Sequence, residues 1–146
     1  MDYNAAFQIS ASGMAVEKLR LDVTAANIAN MNNAAPSASQ AYRPQRVLSQ
    51  VAPPNFNQQF GQLYDAGSVG GVQVAGVEAQ AVAPRMAYEP GHPYADAKGM
   101  VAYPAVNHTA EMVNLNIALR AYEANVAAMN AAKTMAARAL DIGGQQ

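Results

Sequence analysis

The sequence predicts a mainly α-helical protein in which two long terminal helices flank a short, irregular, β-rich insert. Apolar residues recur at helical spacing in residues 1–30 and again in residues 109–146. Between them, Pro, Gly, Asn and Gln interrupt short stretches in which apolar and polar residues alternate. We therefore expect three segments: a first helix over residues 1–30, the insert over residues 31–108, and a second helix over residues 109–146.

The first helix is predicted because residues 4–29 contain no proline and a single glycine, Gly13. Its apolar residues form two stripes on roughly opposite sides, since an offset of two residues turns a helix by about 200°. A helix on the surface of a globular domain usually has one stripe, so two stripes predict contacts on both sides. The stripes comprise Phe7, Met14, Leu21 and Ile28, and Ile9, Val16, Leu19, Val23 and Ala26.

Alternating apolar residues in the insert predict short strands over residues 46–51 and 69–77, and a weaker strand over residues 100–106. Residues 55–62 are predicted to form an irregular loop. Glu89-Pro90-Gly91-His92 fits a type II turn, in which proline presets φ and glycine accepts a positive φ.

The last helix is predicted to begin at Thr109, whose hydroxyl can cap it, and to end at the glycines of residues 141–144. Its larger side chains form a heptad seam, interrupted by a single polar residue, Lys133. A helix with such a seam needs a second helix, either elsewhere in this chain or in another copy. The seam comprises Met112, Leu115, Leu119, Tyr122, Val126, Met129, Lys133, Ala136 and Leu140.

Composition and motifs give no support for catalysis. The net charge of −1 gives no basic surface for nucleic acid, and the absence of cysteine excludes thiol chemistry. His108 and Glu111 have the spacing of two metal ligands but lack a nearby third, and Asp96 and Lys98 fit a loop turn better than an acid–base pair. We therefore expect no catalytic residue, no cofactor, no metal site and no membrane span, and the chain is predicted not to be an enzyme.

Several sequence blocks resemble one known family. Residues 21–30, LDVTAANIAN, are similar to the Ala-Asn-x-(Leu/Ile)-Ala-Asn signature of the bacterial flagellar axial proteins, the rod and hook subunits. Residues 88–99, YEPGHPYADAKG, resemble the proximal rod proteins within that family, despite departures at Met100 and Ala105. Further similar blocks lie at residues 103–107, 111–113, 120–125 and 139–143, and at Lys133.

The resemblance implies a structural subunit of the flagellar basal-body rod, a helical tube that transmits torque and forms the export channel. It implies that the terminal helices pair as an antiparallel coiled coil in the inner tube domain, with the insert outside. Implied partners are copies of the chain, the rod proteins FlgB, FlgF and FlgG, FliE, and the flagellar type III export apparatus. The expected location is the periplasmic rod, reached without a cleaved signal peptide; residues 1–30 also lack the pattern of such a signal.

The predicted site is therefore a set of coiled-coil and subunit-interface residues. Asn27 and Asn30 belong to it because their amides can satisfy backbone groups at the helix end or bond to another subunit, and both roles stay open. The competing function is a freestanding coiled-coil adaptor or binding module, which would form a small, discrete oligomer. The predicted interface residues are Phe7, Met14, Leu21, Asn27, Ile28, Asn30, Met112, Leu115, Leu119, Tyr122, Val126, Met129, Ala136 and Leu140.

Overall fold

The computed structural model describes residues 3–52 and 70–143, which contain two long helices and four short strands. The prediction of a mainly α-helical chain with a small β-rich middle is confirmed. The predicted loop at residues 55–62, the first residue of the strand predicted at 69–77 and the closing Gly144 lie outside the described residues. The elements are α1 (Tyr3–Asn30), β1 (Gln45–Val51), β2 (Val72–Ala79), β3 (Arg85–Tyr88), β4 (Met100–Tyr103) and α2 (His108–Gly143).

The strands form two small sheets, β1 with β2 and β3 with β4. The second pair is antiparallel, with Arg85 opposite Tyr103 and Tyr88 opposite Met100. β4 is shorter than the predicted strand because Pro104 has no N–H to donate to a ladder. β3 was not predicted, since its four residues carry no extended alternation.

Two local predictions in this part of the chain are wrong. A turn forms at residues 89–92, where the His92 N–H donates to the Glu89 carbonyl at 3.0 Å, but Gly91 does not have a positive φ, so the turn is not type II. The cap of α2 is Asn107 rather than Thr109. The Asn107 Oδ1 accepts from the Ala110 N–H at 3.1 Å, so an asparagine two residues before Thr109 already supplies the required acceptor.

The described residues belong to two compact units, made of residues 1–18, 49–75 and 119–146, and of residues 19–48 and 76–118. In the first unit, the Ser12 hydroxyl accepts from the Val72 N–H at 3.1 Å and donates to the Ile9 carbonyl at 2.8 Å, which joins α1 to the start of β2. Its oxygen also occupies the space that a side chain at Gly71 would need.

The core of the second unit is small and surrounds β4. Val101 is completely buried, and Ala102 packs in a cluster with Ala35 and Ala41. The Ala35 N–H donates to the Ala102 carbonyl at 2.9 Å, which extends the β3–β4 sheet by one bridge. Alanines allow these segments to approach closely, so the backbone of residue 35 can reach β4.

No helix within residues 3–52 and 70–143 is long and apolar enough to cross a membrane.

Candidate functional site

The Asn27 side chain, 1% exposed, joins three segments of the second unit. Its Nδ2 donates to the Gln45 carbonyl at 2.9 Å and to Glu111 Oε2 at 3.2 Å. Its Oδ1 accepts from the Gln45 N–H at 2.9 Å and from the Tyr42 hydroxyl at 2.8 Å. The amide thus makes all four hydrogen bonds available to it, linking α1 to the first residue of β1 and to α2. We call Asn27, Tyr42, Gln45 and Glu111 the Asn27 cluster.

Asn30 makes only local bonds at the end of α1. Its Nδ2 donates to the Ala26 carbonyl at 2.8 Å, and its Oδ1 accepts from Asn33 Nδ2 at 2.7 Å. The Asn33 N–H donates to the Asn30 carbonyl at 3.1 Å. The last of these bonds satisfies a carbonyl that the helix end leaves without an intrahelical partner. The two asparagines of the sequence signature therefore have different surroundings, and a contact of either with another subunit stays a prediction.

Burial raises the pKa of the Tyr42 hydroxyl above its ordinary value, and the nearby Glu111 carboxylate raises this pKa further. Both effects disfavour the charged phenolate: burial removes it from water, and the Glu111 carboxylate repels its negative charge. The neutral hydroxyl is also the form that donates to Asn27. The native state therefore holds the Tyr42 proton more tightly than the unfolded chain does.

This raised pKa predicts a stability difference that depends on pH. At pH 7, Tyr42→Phe is expected to lower the free energy of unfolding by about 1 kcal/mol, the usual worth of a hydrogen bond. Above pH 10 the unfolded tyrosine loses its proton before the native one, so the wild-type chain loses stability that the variant retains. The difference in the free energy of unfolding between the wild-type chain and Tyr42→Phe should narrow between about pH 9 and 11, as measured by denaturant titrations. A gap that is constant over this range would contradict the assigned cause.

Most of the half-buried and buried residues of α2 form two rows at heptad spacing, and the half-buried Ala121 and Val126 lie outside them. One row coincides with the predicted seam and contains Leu115, Tyr122, Met129 and Ala136. In the other predicted row, Val126 is half-buried, whereas Met112, Leu119, Lys133 and Leu140 are exposed. The covered row lies one residue earlier in the sequence. Small or polar residues replace them in the covered position, so the second row is Glu111, Ala118, Asn125 and Ala132.

In α1, four polar side chains and one apolar side chain, Val16, are buried. Its two apolar stripes are half-buried, apart from the buried Val16, and no large apolar side chain of Tyr3–Asn30 is exposed. The predicted interface residues Phe7, Met14, Leu21 and Ile28 all fall in the half-buried class. The fully covered polar positions are Ser10, Glu17, Thr24 and Asn27.

Gly13 allows α1 and α2 to approach closely within the first unit. A Cβ placed on Gly13 would lie 2.7 Å from Asn125 Oδ1 and 2.9 Å from its Cγ and Nδ2. Asn125 Nδ2 also donates to the Ala121 carbonyl at 2.9 Å, which fixes the orientation of this amide. The single glycine in α1 is thus explained by the neighbouring helix, which covers it.

A second apolar surface of α2 is exposed. At 100° per residue its members fall within an arc of about 60° on the helix, outside the two covered rows. Ile117 is 60% exposed and Ile142 is 75% exposed, so these side chains have little cover within the chain. We call this surface the outer face of α2. It consists of Val113, Ile117, Ala124, Ala128, Ala131, Met135 and Ile142.

Asp96 organises the loop that connects β3 to β4. Its Oδ1 accepts from the Lys98 N–H at 2.7 Å and the Met100 N–H at 2.9 Å, and these backbone bonds hold the pKa of the carboxyl below its ordinary value. Gly99 has a φ of 73°, a value that favours glycine, and this allows the chain to turn back toward β4. The sequence-based interpretation of Asp96 and Lys98 as a loop turn is confirmed.

Asp96→Ala is expected to speed amide exchange at Lys98 and Met100, whereas Asp96→Asn keeps an acceptor oxygen and should preserve most of the protection. Because the pKa of Asp96 is lowered in the native state, the stabilisation by its carboxylate is present above the ordinary pKa. It is lost as the pH falls through the native pKa. Amide exchange measured by NMR tests both statements. Equal protection in the alanine and asparagine variants would contradict them.

The described residues contain no group of three or more His, Cys, Asp or Glu side chains placed to hold a metal ion. His108 is exposed at the first position of α2, and the Glu111 Oε2 accepts from the Asn27 Nδ2 instead. The described contacts join segments of the chain: the Asn27 cluster links α1, β1 and α2, and the outer face of α2 is exposed.

Comparison with known proteins agrees with this arrangement. Residues 7–34 match the family model "Flagella basal body rod protein", and residues 97–142 match "Flagellar basal body rod FlgEFG protein C-terminal". The flagellar basal-body rod protein FlgC of Escherichia coli O6:H1 is 38% identical over 137 residues, covering 94% of this chain and 95% of that protein. The chain belongs to the FlgC family of flagellar basal-body rod proteins.

Other FlgC proteins are similar over the same extent. The protein of Salmonella typhimurium is 38% identical over 138 residues, and that of Bacillus subtilis is 36% identical over 141 residues, covering 92% of this chain and 94% of that protein. The relatives are named as structural rod proteins, so this chain is a structural protein of the flagellar basal-body rod and not an enzyme. The two family models cover most of α1 and α2, which carry Asn27, Glu111 and the outer face, whereas Tyr42 and Gln45 lie between the matched ranges.

Proposed function

We propose that this chain assembles through its terminal helices into a helical tube, the basal-body rod, which transmits torque and encloses the export channel. The observation that carries the proposal is the outer face of α2, whose large apolar side chains are 51–75% exposed. Burying each of them against a neighbouring subunit would stabilise the contact by about 1.5–3 kcal/mol. Exposed apolar surface of this extent on one helix is typical of an interface.

The inner domain of this tube consists of residues 1–30 and 109–146, and residues 31–108 form the outer insert. The ends of α1 at Asn30 and of α2 at His108 support these boundaries. α1 and α2 pair as an antiparallel coiled coil. Gly13 lies beside Asn125, and Asn27 bonds to Glu111, so fourteen residues forward on α1 correspond to fourteen residues backward on α2. Fourteen residues are two heptads, the spacing that keeps such a seam in register.

The covered and exposed surfaces of α2 have separate roles in this proposal. Small residues such as Ala118 and Ala132 let the two helices of one subunit approach closely. The larger Met112, Leu119 and Leu140, which the sequence placed in the seam, are exposed and supply contacts to neighbouring subunits together with the outer face. The half-buried Phe7, Met14, Leu21, Ile28 and Asn30 contribute at the edges of these contacts.

The partners of the chain are its own copies, the rod proteins FlgB, FlgF and FlgG, and FliE, after delivery by the flagellar type III export apparatus. Its location is the periplasmic part of the basal body, reached without removal of a signal peptide. Membership of the FlgC family supports these assignments. The net charge of −1 agrees with protein partners rather than nucleic acid.

Recovery in purified basal bodies tests this function. A tagged copy of the chain, expressed in Escherichia coli that lacks its own FlgC, is expected to copurify with the rod in detergent-extracted basal bodies. A freestanding adaptor would instead stay in the soluble fraction and sediment as a discrete dimer or trimer. That second result, with no tagged chain in the basal bodies, would contradict the proposal.

A further inference from the structure

The Asn27 cluster has no part in the exposed surfaces to which assembly was assigned above, yet it joins the insert to both helices. Asn27 lies near the end of α1, Gln45 is the first residue of β1, and Glu111 lies in the first turn of α2. All belong to the second unit. One planar amide bonds to all of them, so its orientation is shared by three elements.

We propose that Asn27 is a positioning residue that couples the docking of β1 to the pairing of α2 with α1. Its Nδ2 donates both to the Gln45 carbonyl and to the Glu111 carboxylate. Loss of either acceptor leaves an amide hydrogen of Asn27 buried without a partner, which weakens the hold of the amide on the other segment. The start of the insert is therefore held most firmly while the beginning of α2 is held against α1.

The geometry of the amide makes this coupling directional. Oδ1 faces two donors, the Gln45 N–H and the Tyr42 hydroxyl, while Nδ2 faces two acceptors. A flipped amide would place N–H groups against the Gln45 N–H and would set its oxygen against the Gln45 carbonyl and the Glu111 carboxylate. Because the side chain is almost completely buried, water cannot replace the lost bonds. The orientation of the amide is therefore fixed, and the loss of one bond weakens the hold on the other partners.

The coupling assigns a role to the insert in assembly competence. Residues 42–45 keep their position relative to the helices only when α1 and α2 are already paired at this point. A subunit whose helices are not paired would present a differently placed insert to its neighbours. This inference concerns the isolated, folded chain, and it stands or fails independently of whether the chain enters a rod.

Amide hydrogen exchange of the full chain in Glu111→Ala and Glu111→Gln tests the coupling. In Glu111→Ala, exchange at the Gln45 N–H is expected to be about tenfold faster, although the substitution is on another element. Glu111→Gln retains an acceptor oxygen for Asn27 and is expected to exchange within about twofold of wild type. Asn30→Ala, which removes only local bonds, serves as the control and should leave Gln45 unchanged.

Wild-type exchange at Gln45 in Glu111→Ala, together with faster exchange in the first turn of α2, would overturn the proposal, since the two sites would then be independent. Asn27→Asp supplies a second test because aspartate has a similar shape but no donors. It is expected to speed exchange at Gln45 and in the first turn of α2 together. An effect confined to one of these two regions would also overturn the proposal. If Asn27→Asp does not fold, the comparison of Glu111→Ala with Glu111→Gln still tests the coupling.

Discussion

Ile117→Glu is expected to reduce incorporation of the chain into the rod by more than tenfold while leaving the chain folded. Ile117 is exposed on the outer face of α2, so a glutamate there meets water in the isolated subunit and costs little stability. In the rod, the same carboxylate would be buried against a neighbouring apolar surface without a partner. Quantitative immunoblotting of purified basal bodies, with swimming motility as a second readout, measures the effect.

The matched control is Asn116→Glu, which adds the same charge one residue away, about 100° around the helix. Asn116 is already polar and exposed, so this variant is expected to enter the rod at close to the wild-type level. Circular dichroism should show equal helix content in both variants. Normal incorporation of Ile117→Glu would contradict the assignment of the outer face.

Gly13→Leu is expected to lower the free energy of unfolding by about 1–3 kcal/mol, the usual cost of inserting atoms into a well-packed contact. The space that its Cβ needs is occupied by the side chain of Asn125, which is held by Ala121. For a chain of this length the loss corresponds to a decrease of a few degrees in the melting temperature. Thermal unfolding followed by circular dichroism of the full chain measures it.

Gly13→Ala separates the clash from the intrinsic preference of a helix for alanine. Alone, it should be near neutral, since alanine favours the helix by about 1 kcal/mol but displaces Asn125. In an Asn125→Ala background the clash is gone, and Gly13→Ala should stabilise the chain. An effect of Gly13→Ala that is the same in both backgrounds would show that Asn125 does not cover Gly13.

The sequence alone predicted the elements whose signals are long and local. α1 and α2 carry helical periodicity over many turns, and the absence of proline from residues 4–29 left few alternatives to a helix. The strand predicted at residues 46–51 is confirmed within one residue, because its alternation is regular and a proline precedes Gln45. β3 escaped prediction because a strand of four residues is defined by its partner, β4, and not by its own pattern.

Apolar periodicity placed one row of the α2 seam one residue away from the covered row. The seam was predicted at Met112 and Leu119 because their side chains are large and apolar, whereas the covered positions contain Ala118 and Ala132. Small residues carry a weak hydrophobic signal but permit the closest approach of two helices. The close approach of the two helices could have been predicted from Gly13. A glycine inside a helix, where no turn requires one, indicates that a neighbouring segment lies close to it.

The Asn27 cluster could be predicted only in part. The amide of Asn27 was expected to satisfy backbone groups at the junction between α1 and the insert, and the bonds to Gln45 fulfil that role. Its bond to Glu111 depends on bringing together residues that are far apart in sequence, which no local pattern indicates. Long-range partners of this kind follow from the fold rather than from spacing.

Cysteine crosslinking in assembled flagella tests the central claim most directly, because the chain contains no native cysteine. Ile117 and Ala118 are neighbours in sequence, but Ile117 is exposed whereas Ala118 is 3% exposed. With a short heterobifunctional reagent, whose maleimide bonds the introduced thiol and whose photoreactive end inserts into any nearby C–H bond, Ile117→Cys is expected to yield crosslinks to a second rod subunit, and Ala118→Cys is expected to yield none. Subunit crosslinks from Ala118→Cys, with none from Ile117→Cys, would show that the outer face of α2 is not the surface that builds the rod.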